Sequence, residues 1–334
     1  MRRFEASCLE RIRRRGDGVR GCRVLVACSG GGDSVALLAL LWALRRSLDV
    51  ELCVAHAAHG LRPEAEEDAA FVARLCRRLD LDLVEARLDV RGHAERSGQG
   101  LETAARELRW AWFEAEAASC GAAVVATGHS LDDHTETVFL RLARGSGLAC
   151  LTPLPPRQGL RWSPLVDFRR EALRDYLRQL GWEWREDTSN GEGFTPRNRW
   201  RQLLENLRQE APALDRHLLE THLQVAELRE FQARSVAAWR GPRWELVDGV
   251  LRLRDAFLEA ELRWVLEAAF REAGWPREAA RLRDLAAWIR PLLARKRRRT
   301  HAWGGWRLEP EPLGWSLHPE DGSGRLEPTS LEAP

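Results

Sequence analysis

At 334 residues, with 44% hydrophobic and 31% charged residues, the chain can bury real cores across two or three domains, which excludes a disordered or fibrous protein. No apolar run reaches the roughly 20 residues of a membrane span, and the polar, Arg-rich start carries no secretory h-region, so a cytoplasmic enzyme without membrane association is expected. The net charge of +2 is too small to identify a nucleic-acid binder, although Lys296 is the only lysine and nearly every positive charge is an arginine fork suited to phosphates and bases.

In chain order, residues 23–28 (R-V-L-V-A-C) predict a buried strand, and 34–46 a helix. Residues 50–55 predict a second strand and 63–79 a helix with Pro63 as its first residue. A third strand is expected at 83–88, a helix at 100–119, a fourth strand at 122–127 and a helix at 131–143. This alternation predicts a doubly wound, mostly parallel α/β sheet whose ligands sit beyond the carboxyl ends of the strands. A weaker strand at 160–165 and a helix at 169–180 follow, then a loop-like stretch to 195 and one long helix over about 198–240. Beyond Gly241-Pro242 come amphipathic helices at 256–273 and 276–293 and short strands near 306–308 and 315–317, a small α+β domain. The expected organisation is an N-terminal domain over 1–212, a helical connector over 213–241, a C-terminal domain over 242–320 and a disordered tail over 321–334.

The seven cysteines (Cys8, Cys22, Cys28, Cys53, Cys76, Cys120, Cys150) are scattered and include no C-x-x-C pair, which predicts reduced, mostly buried thiols rather than a zinc or iron–sulfur site. Ser29-Gly30-Gly31-Gly32-Asp33-Ser34 stands between the first strand and the first helix. Three glycines let the backbone approach an anion closely, the helix start offers free N–H groups, and Ser29 and Ser34 add hydroxyls. Asp33 is placed to hold a magnesium ion bridging phosphates. The loop is neither Walker A nor the G-x-G-x-x-G fingerprint. A tight βα turn with a polar cap is the plainer alternative.

S-G-G-x-D-S resembles the PP-loop ATP pyrophosphatases, which split ATP between its α- and β-phosphates. His56-Ala57-Ala58-His59-Gly60-Leu61-Arg62, after the second strand, resembles the H-x-x-H-G-L-R of bacterial tRNA(Ile)-lysidine synthetases. So do Glu102–Arg109 (E-x-x-A-R-x-x-R), Gly128-His129-Ser130-Leu131-Asp132-Asp133-His134-Thr135-Glu136-Thr137 (G-H-x-x-D-D-x-x-E-T), Arg144-Gly145-Ser146-Gly147, Glu186–Asn190 (E-D-x-S-N) and Arg197–Arg201 (R-N-x-x-R). Departures are Trp110 for a tyrosine, Ser130 for a histidine, His134 for a glutamine, and Ser163 where the family shows arginine before Pro-Leu. The ordered match covers about residues 23–214, and more weakly 301–318.

The resemblance implies an ATP-using ligase that joins free L-lysine to the wobble cytidine of the CAU-anticodon isoleucine tRNA. The cytidine is adenylated first, pyrophosphate and AMP are released, and decoding moves from AUG to AUA. It implies ATP contacts from Ser29, Gly30, Gly31, Gly32, Asp33, Ser34, His56, His59, Arg62, Gly128 and His129, and Mg2+ at Asp33. Asp133 and Glu136 are expected to hold the lysine amine and accept its proton, in roles the sequence does not separate. Asp33, Arg109 and Arg201 complete the expected catalytic set, and Arg106, Arg197, Arg297 and Arg298 are expected to contact tRNA. Solvated surface charge and helix capping are the plainer alternatives for these residues. A homodimer is loosely suggested. Rival readings are a PP-loop tRNA thiolase, a PP-loop amidotransferase, or a non-catalytic tRNA-binding relative.

Overall fold

The computed structural model describes residues 2–58, 65–144, 151, 155–186, 196–275, 279–294 and 299–320, with the backbone alone at 102, 196–198, 279 and 280. The chain divides into two compact units, Met1–His222 and Leu223–Pro334.

The first unit opens with helix α1 (Arg3–Arg15) and continues β1 (Arg23–Ala27), α2 (Gly32–Leu48), β2 (Glu51–Ala58), α3 (Ala65–Leu79), β3 (Leu83–Arg87), α4 (Val90–Ser97), α5 (Leu101–Cys120), β4 (Ala122–Ala126) and α6 (Leu131–Ala143). A short hairpin, β5 (Arg157–Gln158) and β6 (Arg161–Trp162), precedes α7 (Arg170–Leu180) and α8 (Pro196–Glu210). The sheet order is β3-β2-β1-β4-β6-β5, with only β5 antiparallel to its neighbour. The chain leaves β1 toward β2 and later returns to β4 on the other side, so the switch point of the sheet lies between β1 and β4.

Side-chain alternation divides the strands between two cores. Val24, Val26, Val54, Val124, Ala126 and Trp162 pack with α1, α2, α3 and α7 on one face. Leu25, Cys53, Ala55 and Val125 pack against Phe113 and Ala117 of α5 on the other. Because both faces are covered, β1 and β4 read as continuous apolar runs, as expected of buried parallel strands.

The long helix expected over 198–240 is two helices, α8 and α9 (Leu214–Trp239). Pro212 lies between them, lacking an N–H and driving Ala211 away from helical geometry. Within the first unit the break lets Asp215 face Arg208, whose Nε and Nη2 donate to the two Asp215 carboxylate oxygens at 3.0 Å each. Thr135 Oγ1 of α6 donates to Asp215 Oδ1 at 2.9 Å, which ties the start of α9 to α6.

A second tie is a buried histidine pair. His134 Nε2 lies 3.1 Å from Nε2 of the fully buried His222. Burial, with His222 and Arg141 as like charges, pushes His134 down to about 3; burial pushes His222 down to about 4. Both rings are therefore neutral in the folded chain, whereas unfolded histidines take up a proton near pH 6.5. Their contribution is present above that value and is lost as pH falls through the folded values. The thermal midpoint of the protein should fall between pH 6.5 and 4, and His134→Gln, with the family's usual residue, should flatten that dependence. Equal slopes in the two proteins would show that the pair does not govern it.

The second unit carries the rest of α9, then β7 (Trp244–Val247), β8 (Val250–Leu253), α10 (Glu259–Glu272), α11 (Ala279–Leu293), β9 (His301–Trp303), β10 (Trp306–Glu311) and β11 (Gly314–Pro319). The strands form an antiparallel sheet of order β7-β8-β11-β10-β9. The β7–β8 hairpin turns on Asp248-Gly249, both at positive φ, a short-range signal that sequence reading passed over. Leu251, Leu253, Trp306, Leu308, Trp315 and Leu317 face Leu262, Val265, Phe270, Leu285 and Ile289 of α10 and α11. Trp306 is fully buried and stacks on Phe270 at 4.7 Å; Trp303 stacks on Trp288 at 5.8 Å. The solvent face of the sheet is balanced in sign, with Arg252 between Glu245 (3.4 Å) and Glu311 (3.3 Å). The expected tRNA contacts Arg297 and Arg298, and the tail 321–334, lie outside the described residues. Among the described residues, no helix is long and apolar enough to cross a membrane.

Candidate active site

The phosphate-type loop leaves β1 at the switch point and enters α2. Gly30 holds φ +89°, a conformation that needs glycine, and Gly31 stands at the helix start. Ser34 closes the loop from inside: its Oγ accepts from Ser29 N at 3.1 Å and donates to Gly31 O at 2.9 Å. Ser34 is buried and Ser29 exposed, so of the two hydroxyls Ser29 faces solvent. His56, on β2, has Nδ1 2.9 Å from Cys28 O, while its Nε2 is buried without a hydrogen-bond partner among the described residues.

Gly128 follows β4 and lies against the loop. A Cβ there would sit 2.9 Å from the Asp33 carbonyl carbon and 3.0 Å from Asp33 O and Ser34 N, so the restriction is backbone space rather than φ. Gly128→Ala must push the β4 turn away from the start of α2. Binding of a non-hydrolysable ATP analogue should weaken by about tenfold or more, as a 1.4 kcal/mol loss implies. Unchanged affinity in a calorimetric titration would show that this approach does not shape the nucleotide site. The neighbouring His129 Nδ1 and Thr127 Oγ1 are 2.8 Å apart, and Thr127 Oγ1 is 2.9 Å from Ser163 Oγ.

The acidic turn of α6 is organised around Arg170, at the start of α7. Its Nε donates to Asp33 Oδ2 at 3.0 Å, Nη2 to Asp133 Oδ1 at 3.2 Å and Nη1 to Glu136 Oε1 at 3.4 Å. Arg201 of α8 donates to the same Glu136 oxygen, Nε to Oε1 at 2.8 Å. Asp33, Asp133 and Glu136 thus meet through Arg170, which sequence reading did not select, and Arg201 joins them through Glu136. Burial opposes the Arg170 charge, but Asp133, Asp33 and Glu136 outweigh it and hold the guanidinium above its ordinary pKa. Burial raises the Asp33 carboxyl, and Arg170 offsets part of that rise.

The adjacent acids divide their tasks. Asp132 Oδ2 accepts from the backbone N of Arg170 at 2.7 Å, and its Oδ1 pairs with Arg208 at 3.0 Å. The N-terminal box of α6 belongs to Asp133, whose Oδ2 accepts from Ser130 N at 2.9 Å and Ser130 Oγ at 3.0 Å. Asp133 Oδ1 is left facing the cluster.

Arg106 and Arg109 stand in the first half of α5, on the opposite face of the sheet from α2, near Arg161. Another contribution not foreseen is the segment after α7. Arg185 N donates to Gly30 O at 2.9 Å, and Trp184 lies 3.3 Å from the position a Gly32 Cβ would take. Arg185 in turn pairs with Asp68 and Glu67 of α3 at 3.0 and 2.6 Å. Of the other expected residues, His59 and Arg62 lie outside the described residues. Arg197 is on α8 with its side chain undescribed.

A nucleotide-type loop at the switch point of a parallel sheet, flanked by an acidic helix start, places the chain in the PP-loop class. The chain belongs to the PP-loop domain family, whose model matches residues 5–207. It is 42% identical over 175 residues to a tRNA(Ile)-lysidine synthase of Thermus thermophilus, covering 52% of this chain and 33% of that one. It is 38% identical over 270 residues to the tRNA(Ile)-lysidine synthase of Deinococcus radiodurans, covering 80% and 43% respectively. The chain therefore spans well under half the length of these relatives. A solved U34-tRNA thiolase from Methanococcus maripaludis with a [4Fe-4S] cluster superposes at a TM-score of 0.56 with 17% identity, over 67% of this chain and 79% of that one; this likeness is one of fold.

Proposed function

We propose that the protein is an ATP-dependent tRNA(Ile)-lysidine synthetase. The observation that carries the reading is the joining of the phosphate loop to the acidic turn of α6 through Arg170, with Glu136 between Arg170 and Arg201.

In this reading the O2 oxygen of the wobble cytidine attacks the α-phosphorus of ATP, the bond to the β-phosphate breaks, and pyrophosphate leaves. The lysine ε-nitrogen then bonds to C2, and AMP departs with O2. The ε-ammonium gives up a proton before attack, and the new C–N linkage gives up a second afterwards. Asp133 Oδ1 and Glu136 are the carboxylates placed to orient the ammonium and take a proton. N–H groups at the α2 start bind phosphate oxygens, and Arg170 and Arg201 steady the negative charge that develops nearby. Asp33 and Asp133 both lie against the Arg170 guanidinium and offer hard carboxylate oxygens, the one-or-two-carboxylate set that Mg2+ combines with phosphate oxygens and waters, so these residues would fit the ion. Bound there, Mg2+ supplies charge neutralisation for the phosphates. The absence of any C-x-x-C pair disfavours the thiolase reading.

The test is incorporation of labelled lysine into a CAU-anticodon isoleucine tRNA transcript with ATP and magnesium, with elongator methionine tRNA as control. Label in the isoleucine tRNA alone is expected. ATP turnover without lysine incorporation would overturn the reading.

A further inference from the structure

On the face of the sheet opposite the α2 core, Arg161 of β6 stands beside Arg106 and Arg109 of α5. Arg161, on β6, lays its guanidinium over the Trp110 ring of α5 at 4.1 Å. Its Nε is shielded from solvent and meets no hydrogen-bond acceptor among the described residues. Arg106 and Arg109 stand one turn and one residue before Trp110 on the same helix, and Arg106 is exposed. Among the described residues, no carboxylate lies within ion-pairing distance of Arg161 or Arg106. Burial first, then the charges of Arg106 and Arg109, holds the Arg161 pKa below its ordinary value.

The register places this group beside the site. Arg161 pairs with Val125 of β4, and Thr127 and Ser163 lie two residues further along their strands, on the same side by alternation. Two residues of strand cover roughly 6.6 Å. The arginine group thus flanks the Thr127–His129–Ser163 cluster along the sheet and opens to solvent at Arg106. A planar guanidinium stacked on an indole keeps its edge for bidentate anion contact. An opening to solvent suits an anion carried by a large ligand.

We infer that Arg161, braced on Trp110 and flanked by Arg106 and Arg109, forms a phosphate site that grips the backbone of the substrate RNA next to the target nucleotide. The inference rests on the functional reading above. As a backbone contact it positions the RNA and reads no base.

The experiment is titration of a CAU anticodon stem-loop, and of a stem-loop with a scrambled loop, over a range of salt concentrations. The proteins are the full chain, Arg161→Gln and Arg161→Lys, each also titrated with a non-hydrolysable ATP analogue and checked by thermal unfolding. For Arg161→Gln the slope of log K against log salt should shrink by about one, with both RNAs weakened alike, while Arg161→Lys keeps the slope. An unchanged slope in Arg161→Gln overturns the inference alone. So does an effect confined to the ATP analogue, which would assign the phosphate to the nucleotide, and so does an equal loss in Arg161→Lys. No RNA binding by the unaltered protein would overturn the functional reading itself.

Discussion

Replacing Arg170 by methionine is expected to lower the stability of the first unit by about 3 kcal/mol and to abolish lysine incorporation. The guanidinium meets three carboxylates, and the Glu136 side chain is only 2% exposed against 17% for Arg170. Removing one member of a buried ion network leaves the others desolvated and uncompensated, which costs more than the pair contributed. For a unit of this size the thermal midpoint should fall by about 10 °C. Arg170→Lys restores a point charge but not a planar fork that reaches three carboxylates, so recovery should be partial. If Arg170→Met unfolded at the wild-type temperature and retained activity, the cluster would not be held together by this residue.

The second large effect is chemical. Glu136→Gln keeps the shape of a side chain locked between Arg170 and Arg201 but removes its ability to accept a proton. Lysine incorporation should fall by about 100-fold or more, in the range that a positioned base supplies. Pyrophosphate exchange with ATP in the presence of tRNA, which reports adenylation alone, should persist within a few-fold. Wild-type incorporation in this variant would remove Glu136 from the lysine step, and loss of both activities would move it to adenylation. Asp133→Asn makes a less clean test, because Asp133 Oδ2 also caps α6 and its change costs about 1 kcal/mol of helix stability.

Much of the site was visible in the sequence because its parts are local. A glycine loop between a strand and a helix, and two acids three residues apart at a helix start, follow from short-range geometry. Arg170 was missed because nothing in Arg169-Arg170-Glu171 sets it apart from the many other arginines of an arginine-rich chain. Its role depends on the sheet bringing the start of α7 beside α2 and α6. Helix α1 and helix α4 were likewise not foreseen. Their amphipathic patterns are short, and the surfaces they cover are created by other elements.

What the sequence determined by itself was the alternation that specifies a parallel sheet, the phosphate-type loop and the family to which it belongs. These rest on contacts between near neighbours, which periodicity and spacing encode directly. Tertiary structure alone decided that Asp132 braces Arg170 and Arg208 while Asp133 faces the cluster, and that Ser34 closes the loop while Ser29 faces solvent. It also decided that Arg161 lies on Trp110 and that Trp306 is core. Each outcome depends on which side chain a residue meets from a distant part of the chain, and partners 137 positions apart, as Asp33 and Arg170 are, leave no periodic trace.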